Sequence, residues 1–82
     1  MASTPYTRSD FKELVTDALL VLGRSARLAA VAEHIWKNHE PQLKASGKIL
    51  YTWQYDMRWA SQALSDQGLL VKEKTSKRWT LI

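Results

Sequence analysis

An α+β domain of three main helices followed by a C-terminal β-hairpin is the fold class this sequence predicts. Three observations lead there. Phe11 to Leu22 repeats apolar residues at helical spacing, and so does the stretch from Trp53 to Leu64. The last segment, Gly68 to Ile82, sets a basic, polar turn between two apolar runs, the pattern of a hairpin with a positive tip. A length of 82 residues suits one such domain.

Residues 1–8 read as a flexible N-terminal arm, leaving 9–82 for the domain. The first helix is expected near Ser9 or Asp10, because Asp10 with Glu13 three places on resembles a capping box. Phe11, Leu14, Val15, Ala18, Leu19 and Leu22 then form one apolar stripe, and Gly23 stands where a helix ends in a left-handed residue. Arg24 to Leu28 is too short for a helix and suits a brief strand. Ala29 to His39 reads as a second helix with Val31, Ala32, Ile35 and Trp36 inward. Pro41 ends it or opens the next turn. Glu40 to Leu50 then becomes a connection with room for one helical turn, Pro41 to Ser46, closed by Gly47. Such a linker exceeds the three or four residues of a compact helix-turn-helix.

The third helix is expected over Tyr51 to Gln67. At about 100° per residue, Trp53, Met57, Ala60 and Leu64 fall within about 60° of one another and make its buried stripe. Tyr51, Tyr55, Arg58 and Gln62 lie opposite. After Gly68, Trp79 and Leu81 alternate with Arg78 and Thr80, as one covered and one wet face require. An isolated hairpin is marginal in water, so this one must pack on the helices through Leu70, Trp79 and Leu81. A strand near Arg27-Leu28 would add a third member to the sheet.

Charge sharpens the picture. Residues 1–40 hold five basic and five acidic residues, while residues 41–82 hold seven basic against three acidic. The whole net charge of +4 therefore sits in the half with the third helix and the hairpin. Clustered positive charge attracts polyanions, although it also serves as an ordinary solvated surface. The absence of Cys removes disulfides and thiolate metal sites and fits a reducing compartment. With neither a signal-peptide run nor a stretch of ~20 apolar residues, a soluble, cytoplasmic protein without a membrane partner is expected. His34 and His39 are five apart and lack metal-pair spacing, so no metal or other cofactor is expected. No phosphate loop, nucleophile elbow or separated acid–base pair appears, which argues against an enzyme.

A helix delivering into a basic hairpin is the reading end of a winged helix-turn-helix, and double-stranded DNA is the first partner to consider. A major groove about 12 Å wide admits one helix, and hydrogen-bonding side chains read its base edges. Arg58 suits a guanine edge, and Gln54 or Gln62 an adenine. Tyr51, Thr52 and Tyr55, nearer the helix start, suit phosphates or a thymine methyl. On the hairpin, Lys72, Lys74, Lys77 and Arg78 suit the phosphate backbone. The plainer readings are a wet helix face and cations that protect an edge strand. Trp36, Trp53 and Trp79 belong to the core on this reading. Trp59, about 120° from the buried stripe, packs beneath the hairpin or marks a partner surface.

The stretch Tyr51-Thr52-Trp53-Gln54-Tyr55-Asp56-Met57-Arg58-Trp59-Ala60, then Leu64-Ser65-Asp66-Gln67-Gly68-Leu69-Leu70, and finally Arg78-Trp79-Thr80-Leu81, resembles the amino-terminal winged-helix domain of Mrr-type restriction proteins. In that family a polar helix runs through a Trp-Ala pair into a leucine-glycine-leucine segment and a basic hairpin ending in threonine. The resemblance covers most of the chain from the first helix onward. It implies a DNA-targeting module, usually fused to a nuclease. Separately, duplex binding makes transcription regulation an expected role. A homodimer or a protein partner stays open. Two rivals stay open too: a protein-interaction module of the same fold using Trp59, Tyr55 and the hairpin, and single-stranded nucleic acid binding through the aromatics.

Overall fold

Thr7 and Asp10 start the first helix. The Asp10 carboxylate accepts from the Thr7 N–H at 2.7 Å and from its hydroxyl at 3.2 Å. Asp10 thus reaches back to Thr7 and does not cap through Glu13 as the sequence suggested, and Ser9 at the N-cap makes no side-chain cap bond. The computed structural model describes residues 5–82. In chain order these form α1 (Asp10–Val21), β1 (Ser25–Arg27), α2 (Leu28–Lys44), α3 (Ile49–Asp66), β2 (Leu70–Lys72) and β3 (Arg78–Leu81). The architecture is α+β: three helices against a three-stranded antiparallel sheet of order β1-β3-β2.

Phe11, Val15, Ala18 and Leu19 of α1, Val31, Ile35 and Leu43 of α2, and Met57, Ala60 and Leu64 of α3 meet in one core. Leu70 and Trp79 close it from the sheet. The expected stripe of α3 is buried throughout. The short third strand near Arg27 also forms: β1 pairs with β3, Ala26 opposite Trp79.

Two expectations change. The second helix does not stop at Pro41 but runs through it to Lys44. Proline removes one backbone hydrogen bond there, yet continuing the helix carries Leu43 to full burial. A Glu40–Lys44 ion pair at 2.8 Å spans the site, and Ser46 Oγ donates to the Gln42 carbonyl at 2.6 Å. The connection to α3 therefore shrinks to 45–48, the length of a compact helix-turn-helix, with Gly47 supplying the left-handed step (φ +61°).

The N-terminal arm also differs over its described part; residues 1–4 lie outside the described residues. The Tyr6 N–H donates to Ser46 Oγ at 2.8 Å, its ring packs edge-on against Phe11 at 6.1 Å, and Arg8 reaches Asp56. Residues 6–8 are thus fastened to the 45–48 turn and to α3, forming an N-terminal strap. Gly68 (φ +76°) ends α3, with the Leu69 N–H returning to the Leu64 carbonyl at 2.9 Å. That turn sets the hairpin beside the exposed face of α3.

Candidate nucleic-acid interface

Because strand side chains alternate, β2 and β3 place Leu70, Lys72, Trp79 and Leu81 on the sheet face that packs toward the helices. α3 runs past that face. Arg58 from α3 and Lys72, Lys74 and Lys77 from the hairpin consequently line one cleft of about 310 Å³. Leu28 and Trp79 give it apolar lining, and Glu73 stands among the cations. Four cations against one carboxylate leave the cleft positive, and the Glu73 carboxylate already accepts from Ser76 Oγ at 2.6 Å. Among the described residues, the side chains of Arg58, Lys74 and Lys77 form no hydrogen bond or ion pair.

The hairpin tip is closed by the Glu73 N–H donating to the Arg78 carbonyl at 2.8 Å. Lys77 turns the chain into β3 from a left-handed conformation (φ 60°), which costs a residue with a Cβ about 1–2 kcal/mol. Beside the cleft, Tyr51 and Tyr55 stand 82% and 71% exposed, and Gln62 shares their arc of α3. Lys72 Nζ donates to Gln62 Oε1 at 3.3 Å, and Gln62 Nε2 donates to Asp66 Oδ1 at 2.9 Å. Both ends of that amide are engaged, so pairing with a base requires exchanging two exposed hydrogen bonds.

Three residues expected at the site lie elsewhere. Arg78 occupies the opposite sheet face with Ser25 and Thr80, where Nε donates to Ser25 Oγ at 3.1 Å and Nη2 to the Ser25 carbonyl at 3.2 Å. Strand alternation next to buried Trp79 forces that placement. Gln54 lines a separate cleft with Ala32, Glu33, Trp36 and Trp53, beside the stacked Trp36 and Trp53 rings 6.0 Å apart. The Thr52 hydroxyl is engaged along α3, donating to Asp56 Oδ2 at 2.9 Å and lying 3.3 Å from the Lys48 carbonyl.

Asp56 is a further member of this region that residue type alone does not single out. It is 2% exposed and accepts from Thr52 and from Arg8 Nε at 3.0 Å. A carboxylate three residues after Trp53 and four before Ala60, at the margin of an apolar stripe, was the available signal that a partner must reach it. Beside it, the Arg8 guanidinium carbon and Lys12 Nζ each lie 5.4 Å from the centroid of Trp59, which is 37% exposed. Trp59 therefore packs under cations from the N-terminal side, not beneath the hairpin.

Tyr6 and His39 form a further pair, hydroxyl to Nδ1 at 2.7 Å. Burial pushes the Tyr6 phenol above its ordinary pKa, with Asp10 adding to the shift. Burial also holds the His39 imidazole below its ordinary value; His34 adds to that and Asp17 opposes it. Among the described residues no group of three or more His, Asp or Glu side chains converges as a metal site, and no helix is long and apolar enough to cross a membrane. The chain matches no protein-family model, no curated protein and no solved structure.

Proposed function

We propose that this is a winged-helix domain that binds double-stranded DNA, with α3 in the major groove and the β2–β3 hairpin on the adjoining backbone. The observation that carries the reading is the shared cleft of Arg58, Lys72, Lys74 and Lys77, next to the exposed Tyr51–Tyr55 face. A helix about 10–12 Å across with its side chains fills a groove about 12 Å wide. Arg58, free of internal partners, offers two parallel donors to a guanine edge. The lysines offer point charges to phosphates. Strain held at Lys77, in the middle of the cationic tip, fits a functional loop. The compact turn at 45–48 supports the helix-turn-helix part of the reading.

Tyr51, Tyr55 and Gln62 complete the interface, whereas Thr52, Gln54 and Arg78 are left out of it. The reading agrees with the resemblance to the DNA-targeting domains of Mrr-type restriction proteins and gives this domain a binding role, not a catalytic one, in the cytoplasm. Intrinsic Trp emission titrated with random duplex at 50 and 200 mM salt tests it. Neutralising about four to six phosphates gives a log–log salt slope of roughly −4 to −5, a roughly 250- to 1000-fold loss over that range. Salt-independent affinity, or none, removes the reading. The exposure of Tyr51 and Tyr55 favours one alternative, a protein-interaction module, which predicts a stable complex with an acidic protein and no duplex affinity.

A further inference from the structure

We infer that Arg8 and Lys12 form a second phosphate-binding border on the flank of α3 away from the hairpin, so that each strand bordering the groove meets its own set of cations. The inference rests on the duplex reading above and adds two residues to it, from the half of the chain whose charges sum to zero.

The geometry begins with Asp56. Its buried carboxylate takes the Nε of Arg8 at 3.0 Å, which pins a side chain that is itself 59% exposed. The outer nitrogens of the guanidinium stay available to a ligand. Lys12, half-buried in the first turn of α1, has its ammonium over the same Trp59 ring and no ion pair among the described residues. Trp59 thus separates α3 from two cations held at fixed height.

The position of this pair around α3 gives it meaning. At about 100° per residue, Arg58 and Trp59 mark two edges of an arc, and Tyr55 and Gln62 fall between them. One edge carries the hairpin lysines; the other carries Arg8 and Lys12. A helix seated in a groove has a phosphate backbone on either side, separated by about the groove width. Cations on one edge alone would hold one strand. Asp56 offsets one of the two charges, so the edge keeps a single net positive charge, carried by Lys12, while Asp10, Glu13 and Asp17 line a neighbouring cleft with Tyr6. Prior fixing of Arg8 by Asp56 and of Lys12 by Trp59 reduces the side-chain entropy lost on binding.

The test is fluorescence anisotropy of a labelled random duplex with the full chain, across 50–300 mM salt. Lys12→Gln is expected to make the log–log slope shallower by about 0.9 and to weaken binding about eightfold at 0.1 M salt. Arg8→Gln has a smaller effect on the slope, because Asp56 already offsets that charge, and the double variant loses more than either single variant. Lys37→Gln removes a cation paired with Glu33 on α2 and should leave the slope unchanged. An unchanged slope for Lys12→Gln, or an equal effect from Lys37→Gln, overturns the proposal while leaving the duplex reading in place. If Arg8→Gln unfolds because Asp56 loses its partner, Lys12→Gln decides alone. Failure of the wild-type chain to bind any duplex overturns both.

Discussion

Replacing Leu43 with Ala separates the structure from the simplest local reading of Pro41. In the fold Leu43 is 0% exposed and belongs to the single core, two residues beyond a proline that the helix passes through. Burying a leucine side chain contributes about 1.5–3 kcal/mol by transfer, and truncation adds the cost of the cavity left behind. The sum is about 3 kcal/mol. Against a total of roughly 4–12 kcal/mol for a chain of this length, that is a large fraction, equivalent to a fall of about 12–24 °C in melting temperature. Urea unfolding followed by circular dichroism reads the difference directly, with the slope against denaturant unchanged. Were residues 41–47 an exposed connection, the same substitution would stay within about 0.5 kcal/mol. A measured cost below about 1 kcal/mol would refute helical continuation through Pro41 and the short turn at 45–48.

Further outcomes follow from the N-terminal strap. A double-mutant cycle of Arg8→Ala and Asp56→Ala should show a coupling of about 1–2 kcal/mol, discounted from a fully buried pair because Arg8 is half exposed; coupling under about 0.3 kcal/mol contradicts the assigned pair. His39 titrates lower in the fold than in the unfolded chain, so its neutral form is the stabilised one. Its contribution is complete above the unfolded value near 6.5 and is lost as pH falls below it. Stability should therefore decline from pH 7.5 to 5.5, and His39→Asn should remove most of that decline; a wild-type profile flat over this range counts against the half-buried Tyr6–His39 contact.

The parts legible in the sequence were those governed by short-range pattern. The α1 and α3 stripes, the α3 stop at Gly68 and the inward alternation of Trp79 each depend on neighbours three, four or two residues away. Tertiary burial overrode the local rule at Pro41, where the fate of Leu43 decides whether a helix continues. The strap was invisible for a different reason: Tyr6 meets Ser46 forty residues on, and Arg8 meets Asp56 forty-eight on. At the candidate site, side-chain type named Arg58 and the three lysines, and the fold brings them together. Face, not type, excluded Arg78, since one step along β3 from Trp79 reverses the direction of the side chain. Gln54 is displaced by the same logic on a helix, 80° from Gln62 at about 100° per residue.

The central claim is that α3 and the hairpin act on one duplex as a unit. The salt dependence of duplex affinity, measured for the wild type and for the Lys74→Ala/Lys77→Ala variant, tests it most directly. A wild-type slope of roughly −4 to −5 that becomes shallower by about 1.8 in the variant, on every sequence alike, is the expected result. A duplex affinity whose slope is the same with and without the two lysines would contradict it.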